Sequence, residues 1–167
     1  MDAIRNMYKN IGVDNFYKVY GNTYENPHKE IINHLLKDVN IKGSILDLCC
    51  GSGEVTKNFS DKDIIGCDPY TYKLYEKNTN KKCLYYDFKD IAKGSLNSYK
   101  FDTIICSFAL HLCEESMLNL VLYQLACISE RLIIITPHKK PEIKNYWYLE
   151  KETIYKKVRL REYRRTL

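Results

Sequence analysis

The chain has 167 residues, 45% hydrophobic and 28% charged, with a formal net charge of +5. That balance suits one globular domain and excludes a disordered or collagen-like chain. No apolar run approaches the roughly 18 residues of a membrane span, and the charged, polar N-terminus does not read as a signal peptide, so a soluble cytoplasmic protein is expected. Seven cysteines occur without a Cys-x-x-Cys pair, and the four histidines are scattered. A metal site is therefore not expected, and the cysteines read as buried free thiols in a reducing compartment.

The first forty residues read as a helical cover. Residues 13–19 place Phe16, Val19 and Tyr20 on one face, and Gly21-Asn22 makes a turn. Asn26-Pro27 then supplies an N-cap followed by proline at the first helical position. Ile31, Ile32, Leu35 and Leu36 form the buried stripe of that second helix.

From residue 44 the rhythm changes. Strands are predicted over 44–49, 63–67, 82–86, 101–106 and 131–136, with helices over 54–59, 70–77 and 114–129. Runs such as Thr103-Ile104-Ile105-Cys106 and Leu132-Ile133-Ile134-Ile135 suit central parallel strands covered on both faces. In the last helix Met117, Leu118, Val121, Leu122 and Leu125 share the inward face. After Pro137 two strands, 146–151 and 154–163, read as a closing antiparallel hairpin. The expected architecture is α/β: a doubly wound, mostly parallel seven-stranded Rossmann-like sheet in a single domain, with cover 1–40 and core 42–167.

The chemistry concentrates where the first strand ends, in Asp47-Leu48-Cys49-Cys50-Gly51-Ser52-Gly53-Glu54. A strand, a glycine turn and a helix make a nucleotide-binding opening, and Asp68 closes the next strand. A dinucleotide would need G-x-G-x-x-G, yet those positions hold Cys49, Gly51 and Glu54. Glu54 would also put negative charge at the helix start, where a pyrophosphate must sit. A nicotinamide dehydrogenase is disfavoured on both grounds. A ligand joining an amino acid to adenosine fits better, with Asp47 for an ammonium group and Asp68 for ribose hydroxyls.

The stretch 47–53 is similar to the first motif of the class I S-adenosylmethionine-dependent methyltransferases. Gly66-Cys67-Asp68-Pro69-Tyr70 resembles the second motif, Tyr85-Tyr86-Asp87-Phe88 the third, and the run from Phe101 to His111 the fourth. The resemblance spans about residues 42 to 136 and implies S-adenosylmethionine as cofactor. It implies Gly51 and Gly53 around the methionine part, Asp68 at the ribose, Asp87 and Phe88 at the adenine, and Ser107 at the methionine end; Asp47, Cys49 and Pro69, within the same motifs, complete the cofactor-binding candidates. Cys49 stands where the family has glycine.

Methyl transfer is a single displacement that rests mainly on alignment, so the lack of a catalytic dyad does not exclude an enzyme. Substrate-side candidates are His111 after the fourth strand, His138 after the fifth, His28 at the second helix, and Tyr24, with Tyr17 and Tyr20, in the cover. A structural or solvent-facing histidine is the alternative for each. Ser107-Phe108-Ala109-Leu110 replaces the Asn/Asp-Pro-Pro-Tyr tetrad of enzymes that methylate adenine or glutamine nitrogens. With no helix or inserted domain after strand five, the core points to a small molecule in an open cleft, or to a surface borrowed from an RNA or protein partner. The second reading is a non-catalytic methyltransferase-like protein that binds RNA or a partner subunit through Arg159, Arg161 and Arg164.

Overall fold

The computed structural model describes residues 27–167. The expected helix over 13–19, Asn26 and the tyrosines at 17, 20 and 24 lie outside the described residues.

The elements run α1 (Lys29–Leu36), β1 (Ile45–Leu48), α2 (Glu54–Lys57), β2 (Ile64–Cys67), α3 (Tyr72–Thr79), β3 (Cys83–Leu84), α4 (Phe88–Ala92), β4 (Phe101–Ser107), a 3-10 turn (Leu110–Leu112), α5 (Glu115–Ile128), β5 (Ser129–Thr136), β6 (Trp147–Tyr155) and β7 (Val158–Arg165). One seven-stranded sheet results, in the order β3-β2-β1-β4-β5-β7-β6. The first five strands in chain order pair in parallel, and β7 joins β5 and β6 antiparallel. This is the expected Rossmann-like sheet with its closing hairpin.

Strand alternation divides the core between the two faces. Leu46, Leu48, Ile104, Cys106, Leu132 and Ile134 pack on one side with Val121, Leu122 and Leu125 of α5. Ile45, Ile105, Ile133 and Ile135 face the other, against Ile32, Leu35 and Leu36 of α1 and Val55 of α2. Leu48 is level with Cys67 on β2 and Cys106 on β4. The chain segments leaving these strands therefore emerge together, at the point where the strand order reverses. Open α/β sheets bind ligands there.

Three local expectations are corrected. Helix α1 begins at Lys29 with His28 as its N-cap residue, two positions later than Pro27 suggested. The hairpin turns at Lys156-Lys157, not near residue 152, so Tyr155 pairs with Val158. Both lysines have positive φ, 48° and 66°, the geometry of a two-residue type I′ turn. The alternation read as one strand over 154–163 thus belongs to two, and Ile154 lies exposed on β6. A register shift between Leu149 and Lys151 bulges β6. Finally, α4 was not anticipated: Asp87 caps it by accepting from the Asp90 amide, and the Asp90 side chain returns a bond from the Asp87 amide.

Candidate functional site

A cleft of about 490 Å³ opens at the carboxyl ends of the parallel strands. Of the residues singled out from sequence, Cys49, Gly51, Asp68, Pro69, Asp87, Phe88 and Ser107 line it. They come from the ends of β1, β2, β3 and β4, and the register above brings them together.

The turn after β1 coils through left-handed backbone. Cys49 has φ 56° and Gly51 φ 55°, while the amides of Cys49 and Cys50 donate to the Cys67 carbonyl at 2.8 and 3.3 Å. Cys49 holds the left-handed conformation that a glycine would adopt without strain. Gly53, by contrast, does not line the cleft. A Cβ there would lie 2.5 Å from Thr79 Cγ2, so its bare backbone serves the packing of α2 on α3.

Asp68 is buried and its carboxylate is held by three amides. Tyr70 and Thr71 donate to Oδ1 at 2.9 and 3.1 Å, and Gly51 donates to Oδ2 at 3.2 Å. Burial pushes this carboxyl up, and the three amides pull the other way. Asp87 spends Oδ1 on the Asp90 amide at 2.8 Å.

Asp47 departs from its expected place. It shares the β1 face of Ile45, which α2 covers, and it does not line the cleft. Fully buried, it accepts from Thr56 Oγ1 at 2.8 Å, and that hydroxyl meets Tyr75 Oη at 2.8 Å. Burial pushes its carboxyl well above the usual range, and the nearby charges of Glu54 and Asp68 add to the effect. Glu54 is also buried and takes the Ser52 hydroxyl on Oε1. Among the described residues, Asp47 Oδ1 and Glu54 Oε2 have no hydrogen-bond partner.

The histidines flank the cleft instead of lining it. His28 stacks on cleft-lining Phe108 at 3.9 Å between centroids, with the rings 2° from parallel. His111 meets His138 edge-to-face at 5.2 Å. Sequence reasoning passed over Phe108, whose φ of 53° is strained for an aromatic residue, and the apolar wall of Leu112 and Met117. The only sequence clue to Phe108 is its place directly after the fourth strand.

The basic C-terminal strand is neutralised by its neighbours. Arg159 and Arg161 pair with Glu152 at 3.2 and 2.7 Å, Arg164 with Glu150 at 2.7 Å, and Arg165 with Glu130 at 3.4 Å. All seven cysteines are free thiols, and Cys50 Sγ lies 3.5 Å from Cys83 Sγ. Among the described residues there is no metal-binding cluster and no helix long and apolar enough to cross a membrane.

No family model matches the chain. An uncharacterized protein of Schizosaccharomyces pombe is 33% identical, over 81% of this chain and 75% of that protein. The two belong to one family. The fold of this chain is similar to several solved structures. The PH0226 protein of Pyrococcus horikoshii OT3 matches with a TM-score of 0.69 at 16% identity, over 96% of this chain and 99% of that one. Magnesium protoporphyrin IX methyltransferase (ChlM) of Synechocystis PCC 6803, solved with bound S-adenosylmethionine, matches with a TM-score of 0.63 at 17% identity, over 99% and 96%. The N-methyltransferase NodS of Bradyrhizobium japonicum WM9, solved with S-adenosylhomocysteine, gives 0.64 at 12% identity, over 98% of both chains. The chain has the fold of the class I S-adenosylmethionine-dependent methyltransferases.

Proposed function

We propose that the protein transfers the methyl group of S-adenosylmethionine to a small molecule. The observation that carries this reading is the cleft itself, where the Gly51 turn, the Asp68 carboxylate and the Asp87–Phe88 step converge on one space. The charge distribution fits the same ligand. Glu54, buried in the first turn of α2, keeps an unpartnered oxygen beneath the glycine turn. An acid at that helix start favours a ligand whose near end carries ammonium and sulfonium groups, and opposes a pyrophosphate. The ligands seen in ChlM and NodS support the assignment.

Bound in this cleft, S-adenosylmethionine would supply a methyl carbon whose bond to sulfur breaks as its bond to the acceptor forms, the sulfur keeping the electron pair. The residues of this chain align and desolvate. Asp68, fixed by three amides, accepts from a ribose hydroxyl with the lone pair left on Oδ2. Asp87 Oδ2 and the backbone beside Phe88 read the adenine edge. Gly51 and Ser107 border the methionine end, and Phe108, Leu112 and Met117 keep water from the reacting centre. His111 and His138 stand on the acceptor side, ready to take a proton from an acceptor O–H or N–H. A small acceptor is favoured because residues 137–146 pass from β5 to β6 without a helix or inserted domain.

Calorimetry with S-adenosylmethionine and S-adenosylhomocysteine tests the proposal. The wild-type protein is expected to bind both, and Asp68→Ala to bind at least about tenfold more weakly. No binding by the wild type at millimolar ligand overturns it.

A further inference from the structure

Arg161 was read from sequence as part of a basic stripe, but its side chain is committed elsewhere. Its Nη1 donates to the carbonyls of Lys139 and Pro141 at 2.7 and 3.3 Å, and its Nε donates to Glu152 Oε2 at 2.7 Å. One guanidinium on β7 thus closes over two carbonyls of the loop that follows β5. The same loop is tied from inside by Thr136. That buried hydroxyl donates to the Lys140 carbonyl at 2.9 Å and accepts from the His138 amide at 3.2 Å. Loops of this length need such attachments to hold one conformation. The residue they fix is His138, whose ring meets His111 edge-to-face.

We propose that Arg161 is a positioning residue: it clasps the loop after β5 so that His138 is set against His111 on the acceptor side of the cleft. The importance of that pair rests on the methyltransferase reading above, whereas the clasp does not. The planar guanidinium matters because its separate N–H groups reach a carboxylate and two carbonyls at once. A lysine ammonium at the same position reaches fewer of these with fixed geometry. Arg164, a more exposed arginine on the same strand, also pairs with a hairpin glutamate, Glu150, and no bond from it to the loop occurs among the described residues. It is therefore the control for a purely structural role in the hairpin. The chemical class implied for the acceptor is a non-anionic small molecule bearing an exchangeable O–H or N–H proton. Asp68, Asp87 and Glu114 outnumber Lys89 along the cleft, which disfavours an anionic acceptor.

Four proteins test the clasp: wild type, Arg161→Ala, Arg161→Lys and Arg164→Ala. Two readouts are followed, the imidazole ring-proton NMR signals of His111 and His138 and hydrogen exchange of the His138 amide. Arg161→Ala is expected to move both imidazole signals and to speed exchange about tenfold or more, with Arg161→Lys between it and wild type. Arg164→Ala is expected to leave both readouts as in wild type, and S-adenosylhomocysteine affinity is expected to change less than about twofold in all variants. Wild-type signals in Arg161→Ala, or an equal change in Arg164→Ala, overturn the proposal. If Arg161→Ala does not fold, Arg161→Lys and Glu152→Gln decide by the same signals. Failure of the wild type to bind S-adenosylhomocysteine would strike the proposed activity and leave the clasp standing or falling on its own signals.

Discussion

The amide of Gly51 donates to Asp68 Oδ2 at 3.2 Å, so the glycine turn after β1 is fastened directly to the acid that ends β2. Tyr70 and Thr71 donate their backbone N–H groups to the other oxygen. An asparagine could satisfy one side only, because its NH2 group would face an N–H donor on the other. Asp68→Asn is therefore expected to lower the melting temperature and to weaken S-adenosylhomocysteine binding by about tenfold or more, measured by thermal unfolding and calorimetry on the same preparation. Equal stability and equal affinity would show that the turn is held by other means.

Asp47 sets a pH dependence of stability. Burial, with Glu54 and Asp68 nearby, raises its folded-state carboxyl above the ordinary value of 3.8. Between that value and the raised one, the folded protein keeps a proton that the unfolded chain has released. Stability therefore falls as pH rises through this window. Asp47→Asn keeps an acceptor for the Thr56 hydroxyl and removes the titration. Urea unfolding at about pH 5 and about pH 8 is expected to show a smaller loss in the variant than in wild type. An unchanged loss would place the titration elsewhere, with Asp68 the first alternative since its carboxyl is raised too.

Cys49 can be tested by swapping shape at a fixed φ. A glycine relieves the left-handed strain but gives up the thiol's packing against the core that includes Cys106. Those effects oppose one another, so Cys49→Gly should stay within about 1 kcal/mol of wild type. A β-branched side chain has no such compensation, and Cys49→Val should be less stable than Cys49→Gly by about 2 kcal/mol or more. Chemical denaturation of the two variants gives the comparison directly; equal midpoints would mean that the turn relaxes.

Gly66 is required by close approach, not by φ. A Cβ on it would come within 2.7 Å of both Cys50 Sγ and Tyr75 Cζ. Tyr75 is fully buried and bonded to Thr56, so it has nowhere to retreat. Gly66→Ala is expected to cost about 1–3 kcal/mol. Combining it with Tyr75→Leu should cost less than the sum of the two single changes, because the shorter side chain admits the methyl group. Strict additivity in a double-mutant cycle would refute this steric account.

The sheet was legible because parallel strands covered on both faces leave continuous apolar runs, as at Thr103–Cys106 and Leu132–Ile135. The glycine turn and Asp68 were legible because a backbone approaching a ligand restricts residue type. Other features depend on tertiary context. Lys156-Lys157 carries no turn signature, and it closes the hairpin only because the flanking strands pair around it. Asp47 was assigned to the ligand by its motif, although simple alternation from Ile45 would have put it under α2. The Arg161 side chain looked like free positive charge because its acid and its carbonyls lie 9, 20 and 22 residues away.

The bulge in β6 has a consequence for the molecule's outer border. Among the described residues this strand is last in the sheet, and it exposes Tyr148, Leu149 and Ile154 along a row of backbone groups that no further described strand completes. A straight border of that composition would invite another chain to zip onto it. The register slip at Leu149/Lys151 breaks the row's spacing and sets a lysine beside the break. An incoming strand could match the hydrogen-bonding pattern on one side of the kink but not on both, so this border resists edge-to-edge pairing.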